Sequence, residues 1–282
     1  MNKKSKVMSV FYDSFVRAVL MIYSAIVVVP FIWTIYTSFK TAREFYANPW
    51  ALPRQIQFSN YMNAFKKAKM GDYFLNSVII TALTLLVGTV LSIATAYVIA
   101  RFKNRYTKFL KNLFMAAFLI PGIFGLIPLF LLMNTLHLLD NRFGLVLVYS
   151  TGTLAFSIFV MVGFFSSISK EYEESAYIDG CTYYGILFRI IVPMGKSAII
   201  TVTIFNFLGI WNEFIYALTF ITSDFKRTLP VGLANLMEIQ RYATDWGALF
   251  AGLVIVMIPT LLFYIIFQKK ITSGLNTGGL KM

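Results

Sequence analysis

Few residues in this sequence have the types and spacing that catalysis requires. The chain has one histidine, His137, and one cysteine, Cys181, so it offers no His/Cys cluster for a structural zinc site and no intramolecular disulfide. Residues 195–197 read Gly-Lys-Ser, as at the end of a phosphate-binding P-loop, but Ile190 stands where that motif needs its first glycine. The patterns G-x-S-x-G and H-E-x-x-H are absent from the sequence. We therefore expect no catalytic residue, no metal site and no nucleotide hydrolysis by this chain.

A polar segment, residues 169–196, holds a third of the acidic residues. It begins at Ser169, a suitable helix N-cap, and acids of the first turn would complement the helix dipole. Gly180 can end this helix in a left-handed conformation, and a second short apolar segment follows before Pro193. Small residues beside an acid suit docking into a groove on another protein, whereas the alternative is a solvated loop whose charges keep it in water. The acids of the segment are Glu171, Glu173, Glu174 and Asp179.

The composition is typical of a membrane protein. Apolar residues make up 58% of the 282 residues and charged residues 13%, against about 45–50% and about 25% in soluble domains. The mean hydropathy is +0.72. These values exclude a disordered chain and disfavour a cytosolic enzyme. The net charge of +13 would suggest nucleic acid as a partner of a soluble protein, but Lys and Arg in cytoplasmic loops explain it here, so we expect no nucleic acid.

Uncharged stretches divide the chain into six predicted spans, because a helix needs about 20 apolar residues to cross the hydrocarbon core. One of these stretches, the fifth in chain order, is interrupted by Glu213. Pro121 and Gly122 predict either a kink or a break in the third span. The first span is too long for a signal peptide and is predicted to stay uncleaved. The spans are 16–39, 73–100, 111–135, 143–168, 197–222 and 246–268, within one membrane domain, residues 1–282.

Six spans place both termini on one side of the membrane, and the basic residues favour the cytoplasmic side. With the termini inside, 15 of the 25 Lys and Arg residues lie in the cytoplasm and 10 lie outside. Six of those 10 belong to the first outer loop, residues 40–72, so the bias is modest. We predict an all-α integral membrane protein with six transmembrane helices, both termini inside and the polar segment in the cytoplasm.

The polar segment resembles the EAA loop of ABC importer permeases, whose pattern is EAA-x3-G-x9-I-x-LP. The matching residues are Glu174-Ser175-Ala176, Gly180 and Ile190-x-Val192-Pro193, with the same spacing at every position. Serine replaces the first alanine, and valine replaces leucine, and both changes are small. The resemblance extends over nearly the whole chain and is to the shorter of the two paired subunits of maltose-type carbohydrate permeases.

This resemblance implies that residues 169–196, termed the coupling loop below, dock in a cleft of a separate cytoplasmic ATPase. In that family the glutamate that Glu174 matches pairs with a basic residue of the ATPase, which also places the loop inside the cell. The C-terminal tail reaches the ATPase dimer interface in that family, which implies contacts of Gly274, Gly278 and Gly279. The residues assigned to ATPase coupling are Glu173, Glu174, Ser175, Ala176, Asp179, Gly180, Ile190 and Pro193.

Polar groups of the fifth predicted span are candidates for the translocation pathway. An ionisable residue within a span faces by default the bundle interior or a water-filled path, which applies to Glu213. Asn206 lies seven residues earlier on the same helical face, and Asn212 is adjacent. Such a stripe can hydrogen-bond sugar hydroxyls, while Trp211 can stack on a pyranose ring. The alternatives are hydrogen bonds between helices and, for Glu213, a gate or a contact with a binding protein.

The function that the resemblance implies is import of a carbohydrate, an oligosaccharide, by alternating access across a bacterial cell membrane. The implied partners are a second, homologous permease, two copies of an ATPase subunit, an extracytoplasmic sugar-binding protein, the carbohydrate and membrane lipid. ATP and Mg would bind to the ATPase, and this chain would hold no cofactor. Two alternatives stay open: import of another small polar solute, such as glycerol phosphate or a polyamine, and a self-sufficient secondary transporter.

Overall fold

The protein is helical, without a strand, over the residues that the computed structural model describes, 3–239 and 245–278. Side chains are described for residues 12–66, 68–238 and 245–270. The long helices are α1 (Lys3–Thr37), α4 (Met70–Arg101), α5 (Arg105–Leu119), α6 (Leu126–Thr135), α7 (Arg142–Ser167), α11 (Lys196–Trp211), α13 (Leu229–Ile239) and α14 (Trp246–Gly278). The short ones are α2 (Ala42–Ala47), α3 (Ser59–Met62), α8 (Glu171–Ile178), α9 (Tyr183–Ile186), α10 (Val192–Met194) and α12 (Ile215–Phe220), with a π-helical turn after α3 and another between α9 and α10.

Four helices, α1, α4, α7 and α14, are long and apolar enough to cross a bilayer. Two further spans arise if each of two bent helix pairs crosses as one unit. These pairs are Arg105–Leu119 with Gly122–Thr135, bent by 99°, and Tyr183–Met194 with Lys196–Trp211, bent by 75°. The chain is therefore an all-α membrane protein with four to six membrane-length elements among its described residues, in agreement with the predicted fold class.

The first bent pair breaks at Ile120 and Pro121. Ile120 has extended backbone, with φ −87° and ψ 120°, which is the conformation that a proline favours in the residue before it. Pro121 also lacks the N–H group that would continue the helical hydrogen bonds. A 3₁₀ turn, Gly122–Gly125, precedes α6. Of the two outcomes that the sequence left open for the third span, the structure shows the break.

The fifth predicted span, 197–222, is not one continuous helix. α11 ends at Trp211, and α12 begins after a break of three residues. The Glu213 carboxylate explains the restart, since Oε1 accepts the N–H of Tyr216 at 2.8 Å and Oε2 accepts that of Ala217 at 3.0 Å. N–H groups in the first turn of a helix have no partner inside that helix. The acid that interrupts the apolar stretch therefore caps a new helix.

The chain divides into two compact units. Residues 1–70 and 233–257 form unit 1, and residues 71–232 and 258–282 form unit 2. The boundaries fall at the first residue of α4 and within α13 and α14, so each of these helices contributes to both units.

Unit 1 is organised around the turn that follows α1. The Asn60 side-chain amide donates to the carbonyls of Ser38 and Lys40, both at 2.8 Å. Lys40 is 1% exposed, and its ammonium donates to the carbonyls of Asn48 and Pro49 at 3.2 and 2.7 Å. The most apolar part of α1, by contrast, has no residue that the described part of the chain buries. Lipid or another subunit is a suitable cover for this apolar surface.

In unit 2, α7 packs against α5 and α11 and contributes to two apolar clusters. The cluster near the C-terminal end of α7 includes Ala96, Met161, Phe165, Ile186 and Ile191. The cluster near its N-terminal end includes Ile80, Leu145, Tyr149, Phe220 and Val231. Both ends of α7 are thereby fixed to helices that are distant in sequence.

Asp140 ties the turn before α7 to the segment after α12. Its backbone has φ 50°, and its carboxylate accepts the N–H groups of Thr222 and Ser223 at 3.1 and 2.8 Å. The Lys226 ammonium donates to the same carboxylate at 2.7 Å. Partial burial alone would raise the pKa of Asp140, but the hydrogen bonds from Lys226 and Ser223 together outweigh it and hold the pKa well below its usual range.

Candidate functional site

The coupling loop begins with two short helices, α8 and α9, that follow the C-terminal end of α7. The hydroxyl oxygen of Ser169 accepts the N–H of Glu171 at 3.3 Å and so supports the first turn of α8, although Lys170 is the residue directly before the helix. Gly180 follows α8 with φ +78°, the left-handed conformation predicted for it. Thr182 caps α9, since its hydroxyl oxygen accepts the N–H of Gly185 at 3.2 Å. The predicted helix, turn and helix are all present.

The residues predicted to contact an ATPase divide into an exposed and an inward-facing group. The exposed group is Glu174, Ser175, Asp179, Gly180 and Pro193. The inward-facing group is Glu173, Ala176 and Ile190, of which Ala176 is 6% exposed. Large apolar side chains are exposed on the same loop: Tyr172, Ile178, Tyr183, Tyr184 and Phe188. The loop thus presents acidic and aromatic groups together, a combination suited to a partner with basic and apolar groups.

Glu173 forms an ion pair within the chain. Its carboxylate contacts the guanidinium Nε of Arg101 at the end of α4, and the two side chains are 12% and 6% exposed. Tyr97 donates its hydroxyl to the other carboxylate oxygen at 3.4 Å. Arg101 also donates from Nη1 to the carbonyl of Ile168 at 3.1 Å. The charge of Glu173, which the sequence grouped with the ATPase contacts, is therefore satisfied by α4, and Arg101 was not singled out because no local pattern joins the two residues.

A cavity of about 430 Å³ lies between α7 and α11 in unit 2. Aromatic rings form much of its wall, and a Cβ atom added to Gly152 or Gly209 would meet no other atom within 4 Å. Its polar lining includes the Asn206 amide, whose Nδ2 donates to Ser157 Oγ at 2.9 Å. Other side chains that line the cavity are Tyr149, Thr153, Phe156, Phe205, Glu213 and Tyr216.

Two of the four residues predicted for the translocation pathway line this cavity, namely Asn206 and Glu213. Both also bond across helices, Asn206 to Ser157 on α7 and Glu213 to the hydroxyl of Tyr149. The interhelical alternative is therefore seen for both side chains. Asn212 is exposed and donates to the carbonyl of Leu208 at 2.8 Å, outside the cavity.

Trp211 is not placed to stack on a sugar. Its side chain is 3% exposed, and it packs edge-on against Phe74 at 5.7 Å and face-on against Phe207 at 5.8 Å between ring centroids. A ring with 3% exposure has no open face on which a ligand could stack. The predicted role of Trp211 as a sugar platform does not fit this environment.

Sequence reasoning missed the aromatic wall of the cavity. Tyr149, Gly152 and Phe156 lie three and four residues apart on α7, and Phe205 and Gly209 lie four apart on α11. Such spacing places residues on one helical face, which is the signal that could have found them. In an apolar span this pattern is indistinguishable from ordinary helix packing until the partner helix is known.

Comparison with known proteins decides the family. The profile of the family described as binding-protein-dependent transport system inner membrane component matches residues 88–275. The chain belongs to this family. The diacetylchitobiose uptake system permease protein NgcG of Streptomyces coelicolor is 36% identical over 262 residues, 93% of this chain and 87% of that protein. The sulfoquinovosyl glycerol transport system permease protein SmoH of Agrobacterium fabrum is 35% identical over 254 residues, 89% of this chain and 88% of that protein.

The fold of this inner membrane component also has a solved counterpart. A chain in the crystal structure of a bacterial ABC transporter involved in the import of the acidic polysaccharide alginate superposes with a TM-score of 0.82. The match covers 95% of this chain and 98% of that chain at 24% sequence identity, so it concerns the fold alone. The family profile spans the coupling loop and the cavity, and both features therefore belong to the part of this membrane component that the family shares.

The C-terminal tail of this membrane component is helical farther than the last predicted span, 246–268. α14 continues to Gly278 and includes Gly274, whereas Gly279 lies outside the described residues. α1 likewise starts at Lys3, before the predicted span 16–39. Among the described residues there is no group of three or more His, Cys, Asp or Glu side chains placed to hold a metal ion.

Proposed function

We propose that this chain is one of two permease subunits of an ATP-driven importer and that it carries a carbohydrate, an oligosaccharide, into the cytoplasm. Its family membership supports an import system with a binding protein, and the names of the relatives support a sugar substrate. The proposed setting is a bacterial cell membrane, with both termini and the coupling loop in the cytoplasm.

The observation that carries the carbohydrate proposal is the cavity between α7 and α11. Its volume of about 430 Å³ falls within the range of about 300–1,000 Å³ that is usual for small-molecule sites. The rings of Phe156 and Phe205 offer apolar faces to the C–H groups of a sugar, and the Asn206 amide offers both a donor and an acceptor to hydroxyls. In this proposal Glu213 acts indirectly, by fixing Tyr149 and the start of α12.

Filling the cavity tests this proposal. Gly209→Leu adds a side chain where the cavity is open, so it should reduce sugar uptake about tenfold, the change that about 1.4 kcal/mol of added barrier produces. The measurement is uptake of radiolabelled maltotriose, cellotriose and diacetylchitobiose by cells that express the complete transporter. Basal ATP hydrolysis should stay at the level of the unmodified protein, because none of the residues that line the cavity belongs to the coupling loop.

A matched control separates cavity filling from helix damage. Gly163 also lies on a membrane helix, α7, is exposed, and has open space around an added Cβ, but it does not line the cavity. Gly163→Leu should leave uptake unchanged. Equal uptake by the Gly209→Leu variant and the unmodified protein for every transported sugar would contradict the proposed pathway.

We propose further that the coupling loop docks on a separate ATPase. The ATPase, rather than this permease chain, would bind ATP and Mg. The exposed Glu174 supports the docking, together with the exposed aromatic side chains around it. A second permease subunit is supported by α1, whose most apolar part is not buried by the described residues. Replacing Glu174 with lysine should reverse the charge at the contact and reduce the amount of ATPase that co-purifies.

The alternative of a self-sufficient secondary transporter would need an acid free to bind a coupling ion. Glu213, the acid of the fifth predicted span, already accepts the N–H groups of Tyr216 and Ala217 and the hydroxyl of Tyr149. This engagement disfavours ion coupling through Glu213. Uptake by the chain alone in liposomes under an ion gradient would reverse that conclusion.

A further inference from the structure

The coupling loop is anchored to α4 by one buried ion pair. Arg101 and Glu173 are 6% and 12% exposed, and they join the last residue of α4 to the first turn of α8. Arg101 also holds the carbonyl of Ile168 at 3.1 Å, and Tyr97 donates to Glu173 at 3.4 Å. A single arginine thus connects three segments: the end of α4, the residue after α7 and the start of α8.

Aromatic contacts form a second connection beside the ion pair. The rings of Phe102, directly after α4, and Tyr183, at the start of α9, are 6.1 Å apart. Tyr183 packs edge-on against Tyr177 of α8 at 5.1 Å. α8 therefore contacts the last residue of α4, and α9 contacts the residue that directly follows it.

The other acids of the coupling loop differ from Glu173. Glu171, Glu174 and Asp179 are exposed, and none of them forms an ion pair within the described residues. Glu173 is the acid of this loop whose charge is largely removed from water and matched by a cation of the same chain. Separating such a pair would leave two charges unpaired in apolar surroundings, which is strongly unfavourable.

We propose that the Arg101–Glu173 pair is a positioning link that makes α4 move together with the coupling loop during the transport cycle. The proposal rests on the proposed function, in which a separate ATPase displaces this loop. Glu174 then serves the contact with the ATPase, whereas Glu173 transmits the displacement to the membrane helices. Two adjacent glutamates have different tasks, and the difference follows from their burial.

Function is tested with the complete transporter reconstituted in liposomes, comparing Glu173→Gln with Glu171→Gln. Both variants lose one negative charge from the first turn of α8, but Glu171 is exposed and outside the pair. The Glu173→Gln complex should retain the co-purified ATPase and its basal rate of ATP hydrolysis. The stimulation of ATP hydrolysis by the sugar-loaded binding protein should fall about tenfold, which is within the usual range of coupling between sites. Glu171→Gln should behave as the unmodified protein. Full stimulation in the Glu173→Gln complex would overturn the proposal.

A distance measurement gives a readout that a purely structural role would not change. Spin labels at Val98 on α4 and Lys170 beside α8, both exposed, are introduced with Cys181→Ser. With the pair intact, the label distance should be the same in the nucleotide-free and ATP-trapped transporter, and with Glu173→Gln it should differ between these states. A state-dependent distance in the otherwise unmodified protein would refute the link.

Two further variants keep the interpretation unambiguous. If Glu173→Gln assembles poorly, the double variant Arg101→Glu with Glu173→Arg is used, because it places a cation beside an anion again. Recovered stimulation of ATP hydrolysis in this double variant would support the link. Recovered assembly without stimulation would oppose it. Glu174→Lys tests the underlying docking separately. Loss of the ATPase with Glu174→Lys beside normal stimulation with Glu173→Gln rejects the link alone, whereas an unaffected ATPase with Glu174→Lys rejects the proposed docking itself.

Discussion

The hydroxyl of Tyr149 on α7 donates a hydrogen bond to the Glu213 carboxylate, which at the same time caps the first turn of α12. Glu213 therefore connects the start of α12 to Tyr149, which lines the cavity. An ionisable group inside a membrane protein is costly unless its hydrogen bonds are satisfied, and three donors satisfy this one.

Removing the carboxylate should destabilise this region. Glu213→Ala leaves the N–H groups of Tyr216 and Ala217 without their acceptor, at a cost of about 1–3 kcal/mol for each buried donor. Thermal unfolding of the purified permease in detergent should occur at a lower temperature. Asn212→Ala is the matched control, since its side chain is exposed and donates to the carbonyl of Leu208 in the preceding helix, α11. Equal unfolding temperatures for both variants would show that the Glu213 cap contributes nothing.

Gly195 belongs to the Gly-Lys-Ser triplet that resembles a P-loop, and it has a packing role. A Cβ atom at Gly195 would overlap the Phe165 ring and lie 3.0 Å from the Ile191 carbonyl oxygen. Gly195→Ala should therefore destabilise the permease by about 1–3 kcal/mol, as for other overpacked sites. Gly209→Ala, which adds the same atom into open space on α11, should have little effect on unfolding. A larger loss for Gly209→Ala than for Gly195→Ala would contradict this explanation.

Local signals in the sequence were sufficient for the features that depend on neighbouring residues. Composition and charge-free stretches predicted the helical membrane class, Pro121 predicted the disruption of the third span, and Gly180 predicted the left-handed turn of the coupling loop. Each of these depends on steric or solvation effects that act within a few residues.

Features that depend on pairing between distant residues were not predictable in this way. Glu173 was grouped with Glu174 because they are adjacent in sequence, but its partner Arg101 lies on another helix. Trp211 was expected to face a sugar, and its burial against Phe74 depends on how α4 and α11 pack. A polar or aromatic residue in a span has several favourable environments, and only the tertiary structure selects one of them.

Gly180 should be sensitive to any side chain. Its φ of +78° is a conformation that costs a residue with a Cβ about 1–2 kcal/mol, although no atom lies within 4 Å of the added Cβ. Gly180→Ala should consequently weaken the turn between α8 and α9 and make the coupling loop more accessible to limited proteolysis. Gly185→Ala provides the control, since Gly185 lies in α9 and an added Cβ would be at an ordinary distance, 3.4 Å, from Thr182. Equal cleavage rates in the two variants would exclude strain at Gly180.

The hydrogen bonds of Asp140 should give a pH dependence of a defined sign. Its pKa is lowered in the folded chain, so the ionised form is the one that stabilises the fold. This contribution is complete at a pH above about 3.9, the pKa of an aspartate in the unfolded chain. It is lost as the pH falls below that pKa toward the lower pKa of Asp140 in the folded chain. Asp140→Asn removes the charge while keeping a side chain that tolerates the φ of 50°. The difference in unfolding temperature between the unmodified protein and this variant should therefore be constant from about pH 5 to pH 8 and should shrink below about pH 4.

Asp179→Asn is the control for this measurement, because Asp179 is exposed on the coupling loop and forms no ion pair within the described residues. It should unfold as the unmodified protein does at every pH. A stability difference for Asp140→Asn that grows as the pH falls would mean that the protonated carboxyl stabilises the fold, and the assignment of the Lys226 and Ser223 hydrogen bonds as the stabilising contacts would be wrong.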